Sequence, residues 1–365
     1  MSTVHGGDSA EPYNKAKAVK QFDESKRGVK GLVDSGIKVI PPFFVHPPET
    51  ISDLKTRPDT DTQIPTVDLS GVDSPDRRAT VVEQIRIASS TLGFFRIINH
   101  GIAQEVLDRT IKSMKAFHEQ PAEIKALMYR RDMSTGVAFR SNIDLYHTQS
   151  ASWRDTVQIR LGPTMPDHNE MPEICRDQLI EWNKEILRLG EILLGLLSEG
   201  LGLSTRKLTD MTCAETRILV GHYYPFCPQP DLTVGITSHT DPGVLTVLLQ
   251  DHIGGLQVRS NKGWIDVQPV PGALVINIGD LLQIISNEKY MSSDHRVLAN
   301  SCLDPRVSVA VFLNPNGEDK VFGPLPELIS AEKPAAYRDF TLKEFLTKFF
   351  TKELGGKTLS AYFRH

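Results

Sequence analysis

Apolar residues keep one rhythm in the first half of this chain and another in the second. Behind Ser74-Pro75, which offers an N-cap and a first-turn proline, Val81, Ile85, Ala88 and Leu92 recur at steps of three and four. That spacing predicts a helix with one buried face. A second amphipathic helix is predicted from about Gln104 to Gln120, stopping before Pro121. A longer one spans Cys175 to Leu201, where Leu179, Trp182, Ile186, Leu189, Leu193 and Leu196 share a face and the lone glycine Gly190 is tolerated. Two short strands punctuate these helices: IPTVDLS from Ile64, and GFFRIINHG over 93–101, which ends in a turn.

In the second half the period shortens. Runs rich in Val, Ile, Leu and Thr alternate with Gly, Pro, Asn and Asp at 217–224, 245–249, 256–258, 264–267, 273–278 and 307–312. Many short strands at close spacing predict a sandwich or barrel. TLKEFLTKFF then gives a closing helix with a capping-box start at Thr341 and Glu344. Ahead of all this, residues 1–62 read as an appendage: a polar start, a helix around 16–27, a Gly- and Pro-containing run over 28–48, and a polar linker over 56–62. The stretch PPFFVHPPE reads as extended chain lying on a surface.

The expected organisation is therefore an N-terminal extension (1–62), a helical region (63–205), a β-rich core (206–330) and a C-terminal helix and tail (331–365). The fold class is mixed α and β, with helical support beside a double-sheet core of the jelly-roll type.

Composition narrows the function classes. Hydrophobic residues make up 40% and charged residues 24%, as in ordinary globular proteins. A formal net charge of -4 and the lack of a dense Lys/Arg block argue against nucleic-acid or membrane-surface partners. No window approaches the roughly 18 apolar residues of a membrane span, and the first 15 residues hold no signal-peptide core. The 4 cysteines stand far apart with no CxxC pair, which fits reduced thiols in a cytoplasmic protein. Nothing in the pattern demands an oligomer, so a monomer is expected.

Candidate chemistry begins in SHTDPGVLTVLLQD, where His239 and Asp241 stand two apart. On a strand, positions i and i+2 share a face, so both can reach one metal ion. His295, in SSDHRVLAN, is a third ligand from the same β-rich half. Two imidazoles and one carboxylate on one face of a metal suit non-haem Fe(II), with open positions for a chelating co-substrate and O2. Zinc accepts the same ligands, and each residue taken alone also fits the cap of a turn.

An independent partner lies in DPRVSVAVFLNP, where Arg306 and Ser308 share one face of an otherwise apolar strand. An arginine there calls for an anion, and a forked guanidinium with a short hydroxyl donor suits one end of a dicarboxylate. 2-Oxoglutarate fits both features: its 2-oxo acid end chelates iron while its far carboxylate meets Arg306 and Ser308. Tyr223 and Tyr224 precede the first ligand and offer a further donor.

These pieces resemble the plant 2-oxoglutarate- and Fe(II)-dependent dioxygenases. The likeness runs from IPTVDLS onward, through GFFRIINHG, HYYPFCPQPDLTVGITSHTDPGVLTVLLQD, GGLQV, PGALVINIGDLLQIISN, HRVLAN and RVSVAVF. FDESKRGVKGLVDSGIKVIPPFF and SWRDT resemble the branch containing the 1-aminocyclopropane-1-carboxylate oxidase homologues, deacetoxyvindoline 4-hydroxylase and benzoxazinoid dioxygenases. The resemblance implies a distorted double-stranded β-helix with His239, Asp241 and His295 as the iron ligands. It implies Arg306, Ser308 and Tyr224 as the residues that hold 2-oxoglutarate, and ascorbate as a reductant. By the same analogy Phe312 faces substrate, and Phe139, Asn142 and Thr156 of the variable middle are further candidates, with ordinary packing as their alternative.

His222 is a departure, since many relatives carry Asn at that position. The implied reaction is hydroxylation or O-demethylation of a small ring-containing plant metabolite, with O2 consumed and succinate and CO2 released. Three alternatives stand beside it. One is an ascorbate-dependent oxidase of the 1-aminocyclopropane-1-carboxylate type, another a zinc hydrolase at the same triad, and the third a non-catalytic binding protein on the same scaffold.

Overall fold

The computed structural model describes residues 13–56, 58–59, 62–132, 136–355 and 357–365. The first 12 residues of the expected N-terminal extension, and part of its linker, lie outside them.

Three helices open the chain: α1 (Lys15–Glu24), α2 (Gly28–Asp34) and α3 (Pro48–Leu54). Next come β1 (Thr66–Asp68), α4 (Pro75–Thr91), β2 (Phe94–Ile98), α5 (Gln104–Glu119) and α6 (Ala122–Ala126). Two strands the hydrophobic pattern does not announce, β3 (Val137–Arg140) and β4 (Asp155–Arg160), precede α7 (Arg176–Gly200) and α8 (Lys207–Asp210). The β-rich half supplies β5 (Thr216–Tyr224), β6 (Val234–His239), β7 (Leu245–Gln250), β8 (Leu256–Ser260), β9 (Gly263–Asp266) and β10 (Leu274–Ile278). After α9 (Asp280–Ile285) come β11 (His295–Leu298) and β12 (Arg306–Asn314). The chain closes with the small pair β13 (Val321–Phe322) and β14 (Phe340–Thr341), then α10 (Leu342–Thr351) and α11 (Leu359–Tyr362).

Among the described residues the larger sheet runs β1-β2-β10-β7-β12-β5-β4-β3, and the smaller runs β6-β11-β8-β9. Only the β1–β2 pair of the larger sheet is parallel; the rest is antiparallel. The two sheets form the jelly roll, and the site lies between them. The register across the centre sets what faces inward: Arg306 pairs with Tyr224, Ser308 with His222 and Gln250, and Phe312 with Thr246.

Helices α4, α5 and α7 cover the outer face of the larger sheet. Leu179, Trp182, Ile186, Leu189, Leu193 and Leu196 of α7 are all fully buried, as their spacing predicts. Each contributes about 1.5–3 kcal/mol relative to exposure. Gly190 has a packing reason: a Cβ there would stand 2.9 Å from Leu313 Cδ1, so glycine lets α7 close onto β12.

The caps differ in detail from the sequence pattern. Ser74 sits at the N-cap of α4, but its hydroxyl donates back to Gly71 O (3.0 Å) rather than accepting from the helix. Thr341 does cap α10, accepting from Glu344 N, while Glu344 turns away to pair with Arg338. The capping box is half made.

PPFFVHPPE, residues 41–49, does not lie extended on a surface, and the run before it is not plain loop. The run over 28–48 holds α2 and a 3₁₀ turn at Pro42–Phe44, and Phe43 and Phe44 are buried. The reason is Trp153, far along the chain, whose ring packs edge-on against Phe44 at 4.9 Å. With Val19, Phe22 and Val29 these rings form a second apolar core. Asp155 locks the same segment by accepting from Val29 N and Lys30 N, each at 2.8 Å. Gly28 permits this contact, since it holds φ +69° and a Cβ there would stand 2.3 Å from Asp155 Oδ1.

Candidate metal centre

His239 is the last residue of β6 and His295 the first of β11, and the antiparallel register sets them opposite each other. Their ring centroids are 4.2 Å apart. Asp241 is not on the strand as the i, i+2 argument expected. It lies two residues past the end of β6, in the turn before β7. The turn is fixed where Asp280 N donates to Asp241 O at 2.7 Å, and that contact replaces strand alternation as the reason the carboxylate converges.

The atoms are arranged for a cation. Asp241 Oδ1 is 3.7 Å from His239 Nε2 and 3.6 Å from His295 Nε2. One ligand atom from each residue lies within 4.8 Å of the other two. His239 Nδ1 meets Thr237 O at 2.8 Å and His295 Nδ1 meets Ser293 O at 3.2 Å. A carbonyl only accepts, so both Nδ1 atoms carry the proton and both Nε2 atoms present a lone pair to the centre. On the carboxylate, Oδ2 accepts from Thr246 Oγ1 (2.6 Å) and Asn277 Nδ2 (2.8 Å), which leaves Oδ1 for the ion.

The electrostatics agree. Burial holds the pKa of His239 below its ordinary value, with the His295 imidazole adding to the effect. Burial alone would raise that of Asp241, but the two imidazoles and the Thr246 and Asn277 hydrogen bonds outweigh it and hold the carboxylate ionised. A neutral pair of imidazoles beside an ionised carboxylate is the donor set that a divalent metal needs.

The same cavity reaches Arg306, Ser308, Tyr224, His222, Phe94 and Phe312. Arg306 is 1% exposed. Its Nη1 donates to Ser308 Oγ (3.3 Å) and its Nη2 to Gln250 Oε1 (2.9 Å), while the guanidinium sits 4.9 Å from the Tyr224 ring centroid. Its Nε is buried without a partner, and no carboxylate lies within 4 Å of it among the described residues. A buried cation with an unmet donor fits an incoming carboxylate such as that of 2-oxoglutarate.

His222 stays outside the metal cluster. Its Nδ1 lies 3.0 Å from Thr156 Oγ1, and burial followed by the charges of Arg154 and Arg306 holds it neutral. Thr156 thus borders the cavity through His222. Phe312 lines the cavity directly. Phe139 and Asn142 are placed elsewhere. Alternation along β3 turns Phe139 toward Phe117 (5.9 Å) and Tyr129 (6.0 Å), in the core beneath α5. Asn142 ties its loop by exchanging two 3.0 Å hydrogen bonds with the Ser152 backbone. Thr246, Asn277, Gln250 and Phe94 escaped sequence reasoning. The signal for Thr246 and Asn277 was a single polar residue inside each of the runs LTVLL and ALVINI.

Comparison with known proteins decides the family. Residues 215–315 match the 2OG-Fe(II) oxygenase superfamily, and residues 64–179 match the N-terminal region of the non-haem dioxygenases in morphine synthesis. Over 352 residues the chain is 49% identical to 1-aminocyclopropane-1-carboxylate oxidase homolog 4 of Arabidopsis thaliana, covering 96% of this chain and 98% of that one. The chain belongs to the 2OG-Fe(II) oxygenase superfamily.

Other members are nearly as similar. Deacetoxyvindoline 4-hydroxylase of Catharanthus roseus is 44% identical over 357 residues, covering 95% of this chain and 89% of that one. The crystal structure of JOX2 in complex with 2OG, Fe and JA superposes with a TM-score of 0.80 at 31% identity, covering 93% of this chain and 97% of that one. This oxygenase is accordingly an oxidoreductase that uses Fe(II), 2-oxoglutarate and O2. No helix among its described residues is long and apolar enough to cross a membrane.

Proposed function

We propose that this oxygenase hydroxylates, or O-demethylates, a small ring-containing plant specialised metabolite. His239, Asp241 and His295 hold the iron, and Arg306, Ser308 and Tyr224 hold the co-substrate. The observation that carries the reading is the joint geometry of the cavity. A three-ligand centre with one imidazole side still 36% exposed shares a cavity with a deeply buried arginine whose Nε lacks a partner.

When bound, iron and 2-oxoglutarate supply the oxidising power, with O2 reduced, 2-oxoglutarate converted to succinate and CO2, and one oxygen atom delivered to a C–H bond. The chain's own work is placement. Thr246 and Asn277 orient Asp241, and the Thr237 and Ser293 carbonyls orient the imidazoles. Arg306 and Ser308 anchor the far carboxylate of 2-oxoglutarate with charge-assisted hydrogen bonds, assisted by Tyr224. Phe94, Leu248 and Phe312 give the cavity apolar walls that exclude water and suit a ring. On a methoxy carbon, the same oxidation releases formaldehyde.

The curated relatives, among them a hydroxylase acting on deacetoxyvindoline, support the 2-oxoglutarate-dependent reading over the ascorbate-dependent and non-catalytic ones. Its test is product identification. Purified enzyme with Fe(II), 2-oxoglutarate and air, given a panel of ring-containing plant metabolites, is expected to add one oxygen to a member or remove a methyl group. Ethylene formed from 1-aminocyclopropane-1-carboxylate with ascorbate, without consumption of 2-oxoglutarate, would establish the competing activity instead.

A further inference from the structure

Asp53, near the C-terminal end of α3, presses its carboxylate against the smaller sheet and gathers three donors there. Arg296 Nη1 donates to Oδ2 in a close ion pair, Trp264 Nε1 donates to the same oxygen at 2.9 Å, and Arg259 Nη1 approaches Oδ1 at 3.4 Å. Arg296 follows His295 on β11, so alternation sends its side chain to the opposite face of the sheet from the imidazole. There it is 3% exposed, with its guanidinium 4.0 Å from the Trp264 ring centroid and its Nε donating to Gln257 Oε1 at 2.7 Å. Asp53 is the one carboxylate within 4 Å of Arg296 among the described residues. A buried guanidinium with one carboxylate in direct contact, and Asp266 acting on it only from farther off, leans on that contact to hold its strand.

His295 needs such a hold. Strand β11 has four residues, and its pairing with β6 breaks register between His295 and Val297 and again before Leu298. The ladder to β6 is therefore irregular just past His295, so β11 is held by its regular pairing with β8, where Arg296 lies opposite Gln257, and by the Arg296 side chain on the outer face. We propose that Asp53 is a positioning residue for the metal centre: by clamping Arg296 from the outer face of β11 it fixes His295 against His239 and Asp241. The N-terminal segment is then part of the metal site, although none of its described residues lines the cavity.

The same segment contains its own control. Asp23 of α1 accepts from Tyr129 Oη, from Arg131 Nη1 at 2.9 Å and from Tyr146 Oη at 2.8 Å, and so pegs the chain around β3 with no bond to a ligand-bearing strand. Removing either carboxylate loosens the N-terminal segment. Only the loss of Asp53 reaches His295.

The inference rests on reading the triad as the iron site, and Asp241→Ala tests that reading separately. The measurement is Co(II) binding to the full-length protein, by calorimetry and by the visible absorption of the bound ion, alongside thermal unfolding. Asp53→Asn is expected to weaken Co(II) binding roughly tenfold, in the range for residues that orient metal ligands from behind, and to shift the Co(II) band. Asp53→Glu restores both, and Asp23→Asn changes neither although it lowers the unfolding temperature. Should Asp53→Asn fold poorly, Arg296→Met removes the buried charge itself; Asp53→Asn added to that background is expected to cause no further loss of Co(II) affinity. An Asp53→Asn protein with affinity within about twofold of wild type and an unchanged band, an equal loss in Asp23→Asn, or an additive loss in the double variant would overturn the inference. Undiminished Co(II) binding by Asp241→Ala would overturn the reading of the triad instead.

Discussion

Thr246 donates a 2.6 Å hydrogen bond to Asp241 Oδ2, and so decides which carboxylate oxygen faces the two imidazoles. Thr246→Val keeps the shape of β7 and removes that donor. Because Asn277 still holds the same oxygen at 2.8 Å, the expected loss of Mn(II) affinity is roughly tenfold, the lower end for such partners. Calorimetric titration of the metal-free protein checks it, and the unfolding temperature should stay close to wild type.

Arg306 makes its own prediction. Hydrogen bonds to a charged group contribute about 1.5–3 kcal/mol each, so Arg306→Met should raise the KM for 2-oxoglutarate by roughly ten- to a hundredfold. The buried charge disappears with its partner ligand, so thermal stability should hold or rise. Steady-state kinetics with 2-oxoglutarate varied, beside a melting curve, separates a binding defect from a folding one.

His118 predicts a pH dependence of stability. Burial pushes its pKa down to about 3, with the Lys125 ammonium adding to the shift and the Gly221 carbonyl opposing it. Its Nε2 lies 3.1 Å from Gly221 O, and its ring stacks on Tyr223 at 5.2 Å. The folded pKa lies below the unfolded value of 6.5, so on acidification the unfolded chain takes up this proton first. The stability associated with the neutral ring is complete above about pH 6.5 and is lost progressively below it. Between pH 6.5 and 5 this one group accounts for about 1.5–2 kcal/mol. Urea unfolding at the two pH values should show a difference smaller by that amount in His118→Gln.

Trp153 joins the N-terminal segment to the sheet through its contact with Phe44. Trp153→Ala should lower stability by about 3–5 kcal/mol, as for other buried aromatic truncations. Limited proteolysis should cut first within residues 13–56, faster than in wild type.

Much of the site was legible in the sequence because strands have a period of two. Arg306 and Ser308 share a face by that rule alone, and Phe312 extends the same row into the cavity. The rule misled at Asp241, which sits in a turn and converges through a backbone contact with Asp280 that no periodicity encodes. At Phe139 the middle segment announces no strand; alternation along β3 sends Phe139 to the helices, whereas Thr156 on β4 turns toward His222. The N-terminal segment hides its burial for a different reason. PPFFV carries no sign that its rings are covered, because the cover is Trp153, more than a hundred residues away. Local patterns show what a residue wants to bury, but the partner that buries it is a long-range fact.

Succinate formation from 2-oxoglutarate under air with added Fe(II), measured for wild type and Asp241→Ala across a panel of ring-containing plant metabolites, tests the iron site and its reaction most directly. Wild type is expected to form iron-dependent succinate that rises with one class of compound, and a folded Asp241→Ala protein none above background. A folded, iron-loaded wild type that forms no more succinate than Asp241→Ala with every compound would contradict this expectation.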